Sequence, residues 1–484
     1  MCEVFKKEKY FYKFRSTEAL LDRYNELEKE YIYFSELNDL NDPIEGFFDI
    51  YWQGDEILWE NFFKNYLYSF YNFSLKFFLD PQYPVYEKHS YNNFDIEVRS
   101  RLEQTEGYNA YCQKFFENHI IRNFLFFLNH RKIKKEELLL YLSIIHLFLI
   151  DNLLNVYKEF EQLKFDDTFC SNIQKAGEYC IESLDELITN LSIENEEKQR
   201  KLLAEKFKEH SNNLDFYCKI PDENNTFEMN YQAFFHFPND YLDKIRTIMY
   251  PESFVSCFSK NCTDASMWGY YANSHKGVCL IFEPTMKEEY YFLSFNNIQK
   301  DFFKSQISLK LSKVNYVEKY PKLSFFRSLG NVIGYEFSNY WASLNGKFSP
   351  YIQDIVDNEK EWHKKYWEWI NNCLCTKTKD WEKENEYRII LTNILNAFSE
   401  KNDRYLKYDF KQLKGIIFGI KTLKKDKLKI ISIIQEKCKI YKITDFKFYQ
   451  SRYNNENGQI VIDEIDLTKQ INKEKLLKEI SSIT

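Results

Sequence analysis

Glu384 and Glu386 stand two residues apart in the run Trp381-Glu382-Lys383-Glu384-Asn385-Glu386-Tyr387-Arg388, directly before the apolar stretch 389–391. At the start of a strand, such a pair projects to one side. Two adjacent carboxylates repel, so one is pushed toward its protonated form while the other can orient a hydroxyl. Arg15 ends the aromatic stretch 10–15 (YFYKFR) and could grip a phosphate or carboxylate in bidentate fashion. A third place is the run 256–259, which ends in Ser259. It is followed by Met267-Trp268-Gly269-Tyr270-Tyr271-Ala272, an aromatic group suited to a ligand platform, and then by His275-Lys276-Gly277. Each feature has a plainer alternative: a surface arginine paired with an acid, an aromatic helix packed on a sheet, or an edge strand with solvated acids.

Other chemistries find no template. The chain has no GxGxxG, GxxxxGK[ST], HExxH or GxSxG. Its 8 His show no metal or triad spacing, and its 11 Cys include only a CxC at Cys373 and Cys375, so no metal site is expected and reduced thiols are the default. A Mg²⁺-dependent nuclease using Asp42, Glu384 and Glu386 ranks last, because the carboxylate set is sparse.

The elements that must position these residues follow from periodicity. Residues 10–15 read as a strand, and Ser16 or Thr17 can cap a helix to about residue 30. Residues 31–35 read as a second strand, ending in the turn-rich loop 38–46 with Asn41, Asp42 and Glu45. Helical spacing dominates 108–128, 136–160 and 177–210, with polar breaks at 80–93 and 212–226. Strand character returns at 254–259, and 266–272 looks helical. Strands are expected at 277–282, 386–391 and 415–419, with a polar, helical stretch between 283 and about 375. A helix at 423–438 and strands within 440–450 and 460–465 complete the pattern. The fold class is α+β: a mixed-sheet core interrupted by a long helical insertion. The expected divisions are 1–47 and 251–470 for the core, 48–250 for the insertion and 471–484 for a tail.

Composition bounds the function classes. With 484 residues, 44% hydrophobic and 29% charged, the chain is long enough for two or three domains, or for one core with a large insertion, and is not broadly disordered. The 18% aromatic content accompanies abundant Lys, Asn and Ile and scarce Gly and Pro, the signature of an AT-rich genome rather than of base stacking. A net charge of −7 argues against a broad nucleic-acid footprint or attraction to an anionic membrane. The lysine-rich run 421–429 reads as a solvated helix face. The charged opening MCEVFKKEKY does not read as a signal peptide, and the apolar run 138–150 falls short of a membrane span, so a cytoplasmic protein is expected.

The order Tyr12-Lys13-Phe14-Arg15-Ser16, Asn41-Asp42-Pro43-Ile44-Glu45-Gly46, Cys257-Phe258-Ser259, Met267-Trp268-Gly269-Tyr270-Tyr271-Ala272, His275-Lys276-Gly277 and Glu384-Asn385-Glu386-Tyr387-Arg388 resembles a bacterial family catalogued as a domain of unknown function, numbered 2971. Tyr270 stands where that family usually has His, and the stretch between the second and third motifs is longer than usual. That resemblance singles out Asn41, Asp42, Glu45, His275 and Arg388 beside the three places above. The layout is also similar, more distantly, to the Arg–Ser–Glu class of ADP-ribosyltransferases. This likeness implies NAD as substrate and no metal. Arg15 would contact its phosphate or ribose, and Ser259, with Trp268 and Tyr271, would shape the nicotinamide pocket. Glu384 would position the acceptor, and Glu386 would hold the ribose and stabilise an oxocarbenium-like state. The expected setting is a defence effector or toxin with a protein or nucleic-acid acceptor and a protein partner on the helical insertion. The competing expectation is a non-enzymatic binding module for a ligand, nucleic acid or protein.

Overall fold

The computed structural model describes residues 9–79, 105–160, 163–165, 167–217, 231–296, 306–332 and 334–466. The tail expected at 471–484 and the polar break at 80–93 lie outside them, as does most of the break at 212–226. The chain divides into two units. One comprises residues 1–48, 251–321 and 368–484; the other comprises 49–250 and 322–367.

The first unit is built on a 13-stranded mixed sheet. In chain order its strands are β1 (Phe11–Arg15), β2 (Tyr31–Tyr33), β3 (Ser35–Glu36), β4 (Ser253–Ser259), β5 (Val278–Phe282), β6 (Thr285–Lys287), β7 (Tyr290–Asn296), β8 (Gln306–Lys313), β9 (Glu386–Thr392), β10 (Tyr405–Tyr408), β11 (Leu413–Phe418), β12 (Lys447–Tyr453) and β13 (Ile460–Glu464). Their order across the sheet is β2-β10-β7-β8-β9-β4-β1-β5-β11-β12-β13, with β3 also on β4 and β6 on β7. The α+β class and mixed sheet expected from the sequence are present. The central strands are apolar on both faces: β5 (VCLIF) is buried throughout. One face carries Phe11, Phe254, Phe258, Leu280 and Phe282 beneath the helix Lys424–Tyr441. The other carries Tyr12, Phe14, Cys279 and Ile281 against Met267 and Trp268 of the helix Ala265–Tyr271.

Three local readings change. The helix expected from residue 16 to 30 is a π-helical turn (Ala19–Arg23) and a short helix (Glu26–Lys29), separated by Asn25 at φ 52°. Asparagine tolerates that left-handed backbone because its side chain can bond locally. The stretch 283–375, read as polar and helical, supplies β7 and β8. In β8 (QISLKLSK) apolar residues alternate with polar ones, which is the half-buried strand period. β10 is also additional.

The second unit contains the helices Glu56–Leu79, Glu106–Glu117, His119–Leu128, Lys135–Phe160, Asp167–Ile193, Glu196–Tyr217 and Tyr231–Lys244. The long helix read at 108–128 is two, broken at Asn118, whose side chain caps the second by accepting from the Ile120 and Ile121 N–H groups. Residues 322–367, which the sequence reading assigned to the C-terminal core, belong here: Lys322–Ser324 pairs in parallel with Asp49–Trp52. Lys135–Phe160 is long and apolar enough to cross a membrane, but 72% of its apolar window is buried within the protein, as in a core helix.

Candidate functional site

The sheet of the first unit forks. β4 pairs with β9 along its whole length, with Ser259 opposite Glu386 and Cys257 opposite Arg388. On its other edge it meets β1 only at Tyr12–Ser259, and β3 only at Val255–Ser35 and Phe254–Glu36. Between these contacts, residues 256–258 have no strand partner on that edge. A pocket of about 230 Å³ opens in the gap. Arg15, Lys13, Tyr33, Ser35, Asn41, Ser256, Cys257, Ser259, Tyr271, Lys377, Glu384 and Glu386 are among its walls.

Strand alternation gives the pocket two differently charged sides. Residues directly opposite across a ladder share a face. Ser259, Cys257, Glu386 and Arg388 therefore lie on the face of Tyr12 and Phe14, while Lys13 and Arg15 point to the other. The second assignment is supported by Lys13, whose Nζ donates to Ser256 Oγ at 2.7 Å and to the Cys257 carbonyl at 3.2 Å, thereby satisfying an acceptor on the open edge of β4.

On the acidic side, three carboxylates surround two cations. Lys377 Nζ lies 2.8 Å from Glu384 Oε2, 2.8 Å from Glu386 Oε2 and 3.4 Å from Glu45 Oε2. Arg388, fully buried, reaches Glu386 Oε1 and Glu45 Oε1, both at 2.7 Å, and donates to the Leu374 carbonyl at 2.6 Å. Tyr271 Oη donates to Glu384 Oε1 at 2.6 Å. The Ser259 hydroxyl donates to the Glu384 carbonyl at 2.7 Å, and the Glu386 N–H donates to Tyr316 Oη at 2.9 Å. Each polar tie fixes one end of the Glu-Asn-Glu segment.

The carboxylates converge by a different route from strand alternation. Glu384 ends a 3₁₀ turn (Lys379–Glu384), and β9 begins only at Glu386. Asn385 between them has φ 43°, and this left-handed residue swings both side chains onto Lys377. Lys377 occupies the position that a Mg²⁺ ion would need between Glu384 and Glu386, and Asp42 instead accepts the Ile44 N–H within its own turn. The nuclease reading loses its ligand set.

The two carboxyls are pushed apart electrostatically. Burial acts to raise Glu386, but the Arg388 guanidinium and Lys377 ammonium outweigh it and hold the group down at about 2. Burial dominates at Glu384, whose carboxyl is raised despite Lys377 and the Tyr271 hydroxyl. One carboxylate is thus held anionic at neutral pH, while the other is shifted toward its protonated form. On the basic side, burial and then neighbouring Arg15 lower the Lys13 amine to about 8. Arg15 itself is bound bidentately by Glu26, with Nε 2.8 Å from Oε2 and Nη2 against Oε1.

A consequence for acid stability follows. Glu386 keeps its charge in the fold at pH values where the unfolded chain, with an ordinary value of 4.5, takes up a proton. Its contribution is intact above pH 4.5 and is lost as pH falls toward about 2. The urea midpoint of the first unit is expected to fall over this window, and Glu386→Gln to flatten the fall; an unchanged slope in the variant would remove the assignment. Glu384 works in the opposite sense, its contribution declining as pH rises above its unfolded value.

Other expected site residues fall elsewhere. Trp268 is fully buried, donates its Nε1–H to the Cys262 carbonyl at 2.8 Å and packs edge-on against Phe14, so it is core rather than pocket wall. His275 sits in a left-handed run with Asn273 and Ser274, where the chain leaves the helix for β5, away from the pocket lining. Asn41 is a wall residue, whereas Glu45 and Arg388 stand behind Glu386 and Lys377. Lys377 was not anticipated. It lies seven residues before Glu384, but its flanks, Thr376 and Thr378, give no local cue; the parallel pairing of Asn315–Val317 with Thr376–Thr378 and the 3₁₀ turn that follows bring it back onto the glutamates.

Residues 267–389 match the family model described as Protein of unknown function (DUF2971). The match includes Tyr271, Lys377, Glu384 and Glu386 and stops short of β1. No curated protein and no solved structure matches the chain significantly.

Proposed function

We propose that this protein cleaves the bond between nicotinamide and ribose in NAD and passes ADP-ribose to an acceptor or to water. The observation that carries the reading is the meeting of Arg15, Ser259, Glu384 and Glu386 at one pocket in the fork of the sheet. NAD is bipolar, with a pyridinium-bearing ribose at one end and a pyrophosphate in the middle. The pocket is bipolar in the matching sense: three carboxylates to two cations on one side, and Lys13 and Arg15 to the single carboxylate of Glu26 on the other. At about 230 Å³ it suits the nicotinamide–ribose half, with the rest of the dinucleotide lying outside.

In this reading the C1′–N bond breaks and its electron pair moves onto the pyridinium nitrogen, releasing neutral nicotinamide. Positive charge develops on the ribose beside Glu386, whose carboxylate stabilises the transition state more than the ground state. Glu384 takes the proton of the attacking hydroxyl as the new bond to C1′ forms. Ser259 acts by holding the Glu384 backbone. Arg15 engages phosphate by exchanging its contact with Glu26.

The test is nicotinamide release by the purified protein, with and without cell lysate or nucleic acid as acceptor. Release above the uncatalysed rate supports the reading, and its absence under every condition opposes it. The second reading, a binding module, is favoured by the complete ion pairing of Glu386. It requires saturable NAD binding by calorimetry with no turnover. A defence effector or toxin is the setting that the enzymatic reading implies, and growth arrest on expression would accompany it.

A further inference from the structure

Lys13 is a buried cation without an anion. Its residue is 9% exposed, its Nζ is held by two neutral acceptors, Ser256 Oγ and the Cys257 carbonyl, and among the described residues no carboxylate forms an ion pair with it. The Phe258 ring lies 4.9 Å from Nζ. The side chain nevertheless lines an open pocket, two residues from Arg15 on the same face. Burial beside another cation is the arrangement that favours a lysine as free amine, and a free amine in a pocket is a nucleophile.

We propose that the Lys13 amine forms a reversible imine with a small aldehyde or ketone carrying an anionic group, which Arg15 anchors in exchange for its contact with Glu26. This does not rest on NAD as substrate. The nitrogen lone pair adds to the carbonyl carbon, and the oxygen takes one N–H proton to give a carbinolamine. That oxygen then leaves as water with the second N–H proton, and the C=N bond forms. Ser256 Oγ, 2.7 Å from Nζ, is placed to relay the protons.

The charged and titratable groups that act on Lys13 are Arg15, which disfavours its ammonium form, and Cys257, Glu26 and Glu386, which favour it. Burial is the largest influence, and the net value is about 8. At neutral pH such an amine is free about three hundred times more often than an ordinary lysine, part of which is offset by its lower intrinsic nucleophilicity.

The test uses the full-length protein with glyoxylate as the probe aldehyde and cyanoborohydride to trap the imine, and site-resolved peptide mass spectrometry as readout. Lys13 is expected to be labelled at least about tenfold faster than exposed Lys276 and Lys421 at neutral pH, with a rate that rises through about pH 8 and then levels. Arg15→Gln is expected to slow labelling by glyoxylate more than labelling by acetaldehyde, which lacks the anion. Labelling of Lys13 no faster than that of the exposed lysines would overturn the proposal. Because the comparison is made within one folded protein and without NAD, it stands or falls separately from nicotinamide release.

Discussion

Arg388→Met is expected to destabilise the first unit by about 3–5 kcal/mol, the range for breaking a buried ion pair from one side. The guanidinium is fully buried and neutralises Glu386 and Glu45 at once, while also satisfying the Leu374 carbonyl. Without it, three carboxylates are left to Lys377 alone. Most of the loss should return in the triple variant Arg388→Met, Glu45→Gln, Glu386→Gln, because removing the charges together strands none of them. Arg327→Met, which cuts a partly exposed pair with Asp354 and a bond to the Tyr351 carbonyl, serves as the contrast and should cost about 1–2 kcal/mol. Because the chain has two units, a single unfolding midpoint is ambiguous. Hydrogen exchange in β4 and β9, measured alongside urea unfolding, assigns the loss to the first unit. A cost for Arg388→Met as small as that for Arg327→Met would mean that the network does not hold the site together.

Glu386→Gln is expected to lower nicotinamide release by roughly 10²–10³-fold, the effect of removing one preorganised electrostatic group from a transition state. The fall should appear mainly in kcat, since in the proposed mechanism the positive charge moves from the pyridinium ring onto the ribose beside the carboxylate only as the bond breaks. The amide keeps the shape and one acceptor for Arg388, so exchange protection in β9 should survive well enough to separate chemistry from folding. Glu384→Gln should behave differently. In the proposed mechanism its raised carboxyl takes the proton, so activity in the wild type should rise with pH through its ionisation, and that limb should vanish in the variant. Full activity in Glu386→Gln would remove the proposed role of the carboxylate, and an unaltered pH profile in Glu384→Gln would remove its partner's.

Much of the frame was legible because its signals are local. β1, β4, β5 and β9 are short, rich in Phe, Val, Ile and Tyr, and bounded by polar turns, so residue types alone mark them as strands. The helix Lys135–Phe160 announces itself by its length of apolar periodicity. Arg15, Ser259, Glu384 and Glu386 could be picked out for the same reason: reactive or charged side chains at strand ends. β8 was misread even though its alternation was visible, because charged and hydroxyl residues between the apolar ones resemble a polar helix face.

What only the tertiary structure decided is the electrostatic state of those residues. Whether two glutamates are solvated, metal-bound or ion-paired depends on how the chain closes around them. Lys377 lies only seven residues before Glu384 and is turned back onto it through the 3₁₀ turn Lys379–Glu384, whereas Glu45 comes from the loop after β3 and Lys13 from β1. The fork is of the same kind: β1 and β4 each read as complete strands, and only their divergence after one shared pair opens the pocket. Strand type is set by neighbours one and two residues away, so a sequence can determine it. Burial, the turn that folds Lys377 back onto the glutamates, and the arrival of Glu45 and Lys13 from hundreds of residues away acquire a value only once the chain has closed.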